Sequence, residues 1–128
     1  MRHYSQGFTL IELLVVVAII GIISAVSVVA YSGYKSSAEQ KQAEITLNTI
    51  YLAEQEYKSN NGEYYFNAST SNLVTNLFDG VDDLSEQSYT FKTTDVSSLT
   101  ITATKKTNTS CTISITEKNK KPNISSAC

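Results

Sequence analysis

The chain begins with a short polar stretch and then becomes uniformly apolar. Residues 1–7 are mostly polar, whereas residues 8–30 include a single charged side chain, Glu12. At about 1.5 Å per residue, a helix over that apolar run is roughly 35 Å long, enough to cross the hydrocarbon core of a bilayer. The pattern therefore predicts one membrane-spanning helix near the N-terminus.

From Ser36 to Asn60 the apolar side chains recur at helical spacing instead. We expect one face of this helix to pack on a sheet, with most of the charged side chains on the other side. Gly62 ends the helix, because glycine readily adopts the left-handed conformation that closes many helices. The predicted apolar stripe is Ala43, Leu47, Ile50 and Tyr57, widened by Ile45, Leu52 and Ala53, and the charged side chains are Glu39, Lys41, Glu44, Glu54 and Lys58.

Beyond Gly62 the pattern changes to a loop and then to strands. Residues 62–87 are acidic, and an apolar run at 73–78 predicts a short helical turn within them. Three segments, 88–93, 99–104 and 111–116, then alternate between apolar residues and threonine or serine, which is typical of strands with one buried face. Short linkers at 95–97 and 105–110 predict antiparallel hairpins, with the apolar side chains toward the helix and the threonines toward solvent. The predicted class is α+β, a long N-terminal helix on a small antiparallel sheet of three to four strands.

Three interpretations of the N-terminal stretch differ in how they explain Glu12. A secretory signal peptide needs a shorter apolar region and a small-residue cleavage site, for which Ser24-Ala25-Val26 is a poor candidate. A plain signal anchor fits the length but leaves unexplained a carboxylate that costs a few kcal/mol at hydrocarbon depth. A cut after Gly7 fits the length of the apolar run and also explains Glu12. It gives Phe8 a free amine four residues ahead of the Glu12 carboxylate, on the same helical face.

The residues Gly7-Phe8-Thr9-Leu10-Ile11-Glu12 resemble the class III signal of type IV pilins and related pseudopilins. The resemblance implies that a prepilin peptidase removes residues 1–7 on the cytoplasmic side and methylates the new N-terminal Phe8. It also implies that Glu12 neutralises the N-terminal amine of a neighbouring subunit, since a carboxylate stranded in an apolar filament core is costly. Gly21 fits the family pattern, whereas Val29 stands where type IVa pilins often carry proline.

The order of elements along the rest of the chain resembles that of a type IVa pilin. The resemblance implies a transmembrane and filament-core helix over 8–34 and a globular pilin head over 35–128. Arg2 and His3 place the leader on the cytoplasmic side by the positive-inside rule, so the head is expected outside the cytoplasm. The expected parts of the head are a helix at 35–61, a connecting loop at 62–87, an antiparallel sheet at 88–117 and a disulfide-bounded region at 111–128.

The chain has two cysteines, Cys111 and Cys128, and both belong to the exported part. In an oxidising compartment we expect a disulfide between them, closing a loop of roughly 18 residues and contributing about 3 kcal/mol. Two unrelated thiols or a pair of metal ligands are the alternatives, but two cysteines without a nearby histidine make a poor metal site. No metal or other cofactor is predicted.

Charge suggests one further feature. The net charge of −2 predicts no general affinity for nucleic acid, but lysines near the C-terminus form a local positive excess. We consider contact with DNA phosphates or with an acidic loop of a neighbouring subunit, against the simpler alternative of a solvated surface. The lysines are Lys105, Lys106, Lys118, Lys120 and Lys121.

The acidic residues of the loop do not predict a calcium site. Residues 79–83 supply too few ligands for an EF-hand calcium site.

We expect a structural protein rather than an enzyme, because no residues form a recognisable catalytic constellation. The resemblance implies a major or minor type IV pilus subunit, anchored in the lipid of the bacterial inner membrane by a single pass with its N-terminus in the cytoplasm. The pilus assembly machinery would then polymerise it with itself or other pilins into an extracellular filament for adhesion, twitching motility or DNA uptake. The alternatives are a type II secretion pseudopilin of a short periplasmic pseudopilus, which the cysteine pair and the lack of a clear calcium loop disfavour, and a pilus-associated DNA-binding minor pilin.

Overall fold

The computed structural model describes residues 7–66, 68–81, 83–94 and 98–128. Four strands form one antiparallel sheet in the order β1-β2-β3-β4, with two helices before them in the chain. The predicted α+β class, a long N-terminal helix with a small antiparallel sheet, is confirmed. The elements are α1 (Leu10–Asn61), α2 (Thr70–Leu77), β1 (Tyr89–Thr94), β2 (Thr100–Lys105), β3 (Asn108–Thr116) and β4 (Asn123–Ile124).

The chain divides into two compact units, and α1 contributes to both. The first unit ends at Ser37 and is called the N-terminal unit below. The second unit is Ala38–Cys128 and is called the head. In the single chain, the large apolar side chains described in the N-terminal unit are exposed, whereas the buried apolar core lies in the head.

Within the head, one face of α1 packs into the core. Ala43, Leu47 and Ile50 are buried, as their spacing of four and three residues predicts. The prediction was wrong for Ile45 and Leu52, which are each 66% exposed. A helix turns about 100° per residue, so these two side chains point away from the face that carries Leu47 and Ile50.

The same geometry corrects the prediction for Glu54. We expected its charge on the outer side of the helix, but it lies four residues after Ile50 and seven after Leu47 and is fully buried. Thr46 completes this face and is also buried. The core side of α1 therefore combines apolar and polar side chains, and the polar ones need partners inside the head.

The connection from α1 to the sheet is fixed at both ends. Gly62 has φ +86° and its N–H donates to Lys58 O at 2.8 Å, which closes α1 with a left-handed residue as predicted. The predicted helical turn is confirmed as α2, which extends from Thr70 to Leu77. Thr70 Oγ1 accepts a hydrogen bond from Phe91 N at 2.9 Å and donates to Phe91 O at 3.0 Å. The start of α2 thereby covers part of the β1 edge.

The sheet places its apolar residues on the face that forms the core. Phe91, Ala103 and Ile113 are aligned across β1, β2 and β3, and all three are buried. The inward direction predicted for the apolar residues is confirmed at these positions. The linker predicted at 95–97 lies outside the described residues. The linker predicted at 105–110 was too long, because β3 begins at Asn108, which pairs with Lys105.

Thr93 departs from the rule that the threonines face solvent. It is fully buried on the same side of β1 as Tyr89 and Phe91. Its Oγ1 donates to Tyr65 O at 3.1 Å and accepts from Ala68 N at 3.2 Å. The strand period of two places Thr93 inside, and the hydroxyl then satisfies backbone groups of the connecting loop.

Candidate functional site

The predicted processing site lies at the beginning of the described chain. Gly7, Phe8 and Thr9 precede α1, and the Phe8 side chain is exposed. The rest of the predicted leader, residues 1–6, lies outside the described residues. Glu12 occupies the first turn of α1, where a carboxylate is favoured by the positive end of the helix dipole.

Glu12 and Thr9 form a capping box at the start of the helix. Thr9 N donates to Glu12 Oε2 at 2.8 Å, and Glu12 N donates to Thr9 Oγ1 at 3.3 Å. The Thr9 hydroxyl also donates to Glu12 Oε2 at 2.6 Å. Each residue thus satisfies a backbone N–H that the helix itself leaves without a partner.

The sequence interpretation missed this capping box, although its signal was present as threonine followed three residues later by glutamate. The box accounts for why α1 begins at Leu10 rather than at Phe8. It also gives Glu12 a local structural role that needs no neighbouring subunit. A test of the assembly role of Glu12 must therefore separate its charge from its capping hydrogen bonds.

The apolar part of α1 satisfies its polar side chains internally. Ser24 Oγ donates to Ile20 O at 2.7 Å, and Ser27 Oγ donates to Ile23 O at 2.8 Å. Hydroxyls bonded back to the preceding turn are compatible with an apolar environment, since no donor is left bare. By length and composition, α1 is the one helix within the described residues that is able to cross a membrane.

Comparison of the chain with known protein families gives a match in this N-terminal region. Residues 2–28 match the family model described as the prokaryotic N-terminal methylation motif. This chain therefore carries the class III signal that type IV pilins and pseudopilins share. Searches of curated proteins and of solved structures found no match. The motif makes the chain pilin-like or pseudopilin-like, and it implies processing by prepilin peptidase and polymerisation with pilins.

The predicted disulfide between Cys111 and Cys128 is confirmed, with the two Cα atoms 4.6 Å apart. Cys111 is buried on the inner face of β3, beside the Tyr89 hydroxyl at 3.5 Å. Ser125 N donates to Thr112 O at 2.9 Å, so the chain just before Cys128 is also bonded to β3. The covalent bond and these contacts hold the C-terminal residues against the sheet.

The predicted lysine cluster separates into two groups in the structure. Lys105 ends β2 and Lys106 lies in the turn between β2 and β3, whereas the other three lysines follow the end of β3. The nine residues of β3 separate the groups by roughly 30 Å. Lys105 pairs with Glu39 at 3.6 Å, and Lys106 Nζ donates to Ser85 O at 2.6 Å. The second group is Lys118, Lys120 and Lys121.

A polar network joins α1, the connecting loop and the end of β3. Tyr64 OH donates to Glu117 Oε1 at 2.8 Å and accepts from Gln55 Nε2 at 2.8 Å. Lys58 Nζ lies 4.1 Å from the centre of the Tyr64 ring and 3.5 Å from Glu117 Oε1. The Tyr64 hydroxyl and then the Lys58 charge hold the pKa of Glu117 below its usual value.

Glu54 is a buried carboxylic acid in the head, with an exposed fraction of 0%. Its Oε2 accepts a hydrogen bond from Tyr65 N at 2.8 Å, and Oε1 has no hydrogen-bond partner among the described residues. Burial raises the pKa of Glu54 to about 7, against the opposing effect of the Tyr65 hydrogen bond. The carboxyl ties the connecting loop to α1 and changes charge near neutral pH.

The acidic loop considered for calcium is described except for Asp82. Asp79 has φ +49° and Gly80 has φ +81°, and Gly80 N donates to Val74 O at 2.9 Å. These backbone angles reverse the chain after α2 and turn Val81 outward, where its side chain is 62% exposed. Within the described part of the loop and head, no group of three His, Cys, Asp or Glu side chains is arranged to hold a metal ion.

Proposed function

We propose that this chain is a structural, non-catalytic subunit of a type IV pilus. The observation that carries the proposal is the methylation motif at residues 2–28, which leads directly into an exposed apolar helix. The chain is first held in the bacterial inner membrane, with its leader in the cytoplasm, and then enters an extracellular filament. The disulfide-closed head suits an exported fibre subunit, because such a bond persists in the oxidising conditions outside the cytoplasm.

The N-terminal unit performs two tasks in this proposal. Its apolar side chains are exposed in the single chain, so they require lipid before assembly and neighbouring subunits after it. Small residues such as Gly21 allow helices to approach closely in both environments. Transfer from lipid to the filament core replaces one apolar environment by another, so polar interactions decide the register between subunits.

Glu12 provides that polar interaction. Removal of the leader after Gly7 leaves an amine on Phe8, which carries a positive charge when methylated once. Pairing this amine with Glu12 of a neighbouring subunit offsets much of the cost of placing either charge in an apolar core, and loss of one charge strands the other. The capping box uses Oε2 of Glu12 for hydrogen bonds within its own chain and leaves the negative charge in place.

Three substitutions separate the charge of Glu12 from its capping role. Glu12→Gln keeps an acceptor for Thr9 N but removes the charge, whereas Thr9→Ala removes the cap hydroxyl and keeps the charge. We expect Glu12→Gln to insert and be processed but to lose most of its surface filaments, as we expect for Glu12→Ala. Thr9→Ala should retain filaments, with a loss of about 1 kcal/mol in helix capping. Filaments sheared from cells and membrane-bound protein measure the two pools.

The opposite pattern would contradict the charge-pairing role. If Glu12→Gln assembles like the unsubstituted chain while Thr9→Ala does not, Glu12 acts through helix capping alone. Immunoblots of the membrane fraction serve as the control, because equal amounts of processed protein in every variant exclude a failure of insertion or cleavage.

Intact mass spectrometry of sheared filaments tests the proposed function as a whole. We expect a dominant species that begins at Phe8, carries one methyl group and gains two hydrogens on reduction. A trace amount of the same mass would assign a minor pilin. Its absence from sheared material, with processed protein confined to the cell envelope, would favour a pseudopilus. Uncut protein beginning at Met1 and found only in membranes would refute the assignment.

A further inference from the structure

An apolar groove lies between α1 and the loop that follows α2. Thr46 and Thr49 form its helical side, and Phe78, Val81 and Leu84 form its loop side. The groove has a volume of about 450 Å³. Val81 is largely exposed, so the groove presents apolar surface to solvent in the single chain.

Acidic side chains form the rim of this groove. Asp79 and Asp83 line it together with the apolar residues. Within the described residues neither carboxylate forms a salt bridge. The groove thus combines an apolar floor with two carboxylates that form no salt bridge within the described residues, and a ligand that matches it needs an apolar side chain close to cations.

The C-terminal part of the same chain has that composition. The basic segment, residues 118–124, contains three lysines, Lys118, Lys120 and Lys121, and ends at Ile124. Ile124 lies on β4 at the edge of the sheet and is 39% exposed. Lys120 Nζ lies 5.4 Å from the centre of the Tyr51 ring, which holds the segment beside α1.

The groove and the basic segment occupy opposite flanks of α1. Thr49 lines the groove, whereas Tyr51 contacts the basic segment, and two residues along a helix differ by about 200° in direction. The two surfaces therefore complement each other between copies of the chain rather than within one copy. A contact that uses different surfaces on the two partners is heterologous, and it produces an open chain of subunits when the rotation does not close a ring.

We propose that the acidic groove of one head receives the basic segment of a second copy of this chain. Ile124 of one copy packs against Val81 of the other, while Lys121 and Lys118 approach Asp83 and Asp79. This inference rests on the proposed function, since it assigns the contact between heads within the filament. The apolar helices drive assembly, and the contact between heads sets which neighbour each head touches.

Charge exchange between the two surfaces tests the contact in the full chain, in cells that assemble it into filaments. Asp83→Lys and Lys121→Asp each replace an attraction by a repulsion, and we expect each to lower the yield of sheared filaments by about fivefold. The chain with both substitutions should return most of that yield, because the exchanged charges again face each other across every contact. Asp83→Asn removes one charge only and should give an intermediate loss.

Matched controls change the same charges elsewhere on the head. Glu63 and Lys92 are exposed and lie outside the groove and the basic segment, so Glu63→Lys and Lys92→Asp should leave the yield unchanged. Equal amounts of processed, oxidised protein in the membrane fraction show that each variant folds. The proposed function is tested separately, by whether the unsubstituted chain forms filaments with methylated Phe8. Such filaments would support the proposed function even if the charge exchange showed that the head contact is wrong.

Three results would overturn the inference. The first is unchanged filament yield in both single variants. The second is a double variant that is no better than the poorer single variant. The third is a Lys121→Asp chain that assembles normally but loses salt-sensitive retention of DNA, which would assign the basic segment to phosphate binding instead.

Discussion

The two units of this chain differ in where their side chains find partners. The head buries its own core, whereas the apolar side chains described in the N-terminal unit are exposed in a single chain. Hydroxyl groups in the N-terminal unit, such as those of Ser24 and Ser27, bond back to their own helix. The head therefore has a packed core of its own, whereas the large apolar side chains described in the N-terminal unit remain exposed in the single chain.

The largest effect within the head is expected from one pair of leucines on α1. Leu47 is fully buried and Leu52 is exposed, although only five residues separate them. Leu47→Ala should lower the free energy of unfolding of the head by about 2 to 5 kcal/mol, because it leaves a cavity in the core. Leu52→Ala, the control, should change it by less than about 0.5 kcal/mol.

Urea unfolding of the detergent-solubilised full chain, followed by tyrosine fluorescence, measures this difference. Tyr89 is buried in the core and reports on the head. Equal losses in the two variants would mean that the outer face of α1 also packs within the head, contrary to the exposure of Leu52.

The N-terminal unit was predictable because its signal is contiguous. Gly7, Phe8 and Glu12 lie within six consecutive positions, and the apolar run follows without interruption. The α+β class and the buried faces of the strands were predictable for a similar reason, since a period of two or of 3.6 is visible in short segments. These features need only local sequence.

The sequence predictions were wrong for residues in the head whose burial depends on their exact angular position around a helix or strand. Glu54 was assigned by its charge rather than by its spacing from Ile50, and Thr93 by its hydroxyl rather than by its place in β1. The lysines form one cluster along the sequence but two groups in space, because β3 runs between them. The acidic groove depends on α1 and a distant loop coming together, which no local pattern reports.

The next effect in size concerns Glu54 and the pH dependence of the head. Its folded pKa of about 7 exceeds the value of 4.5 expected for an exposed glutamate, so the folded head binds this proton more tightly than the unfolded chain. The stabilising contribution is thus complete below about pH 4.5 and is lost as pH rises through 7. The free energy of unfolding should fall by about 3 kcal/mol over that range from this group.

Comparison with Glu54→Gln isolates this effect. The amide keeps an acceptor for Tyr65 N and does not titrate, so the variant should lose the decline and be the more stable protein at pH 8. Glu117 contributes with the opposite sign, because its lowered pKa adds stability that is lost in acid, and it is present in both proteins. Parallel pH profiles for the two proteins would show that Glu54 titrates normally in the folded head.

The smallest effect compares one glycine from each unit. Gly62 closes α1 in the head at φ +86°, whereas Gly33 lies inside α1 in the N-terminal unit. Apart from the adjoining backbone, a Cβ at either position would meet no heavy atom within 4 Å. Gly62→Ala should therefore destabilise the head by about 1 kcal/mol through backbone strain alone. Gly33→Ala should favour its helix by up to about 1 kcal/mol and leave unfolding of the head unchanged.

Unfolding of both variants in detergent, with helix content followed by circular dichroism, measures the two effects. A shift of the head transition by Gly33→Ala would mean that the stability of the head extends into the N-terminal unit, contrary to the division at Ser37.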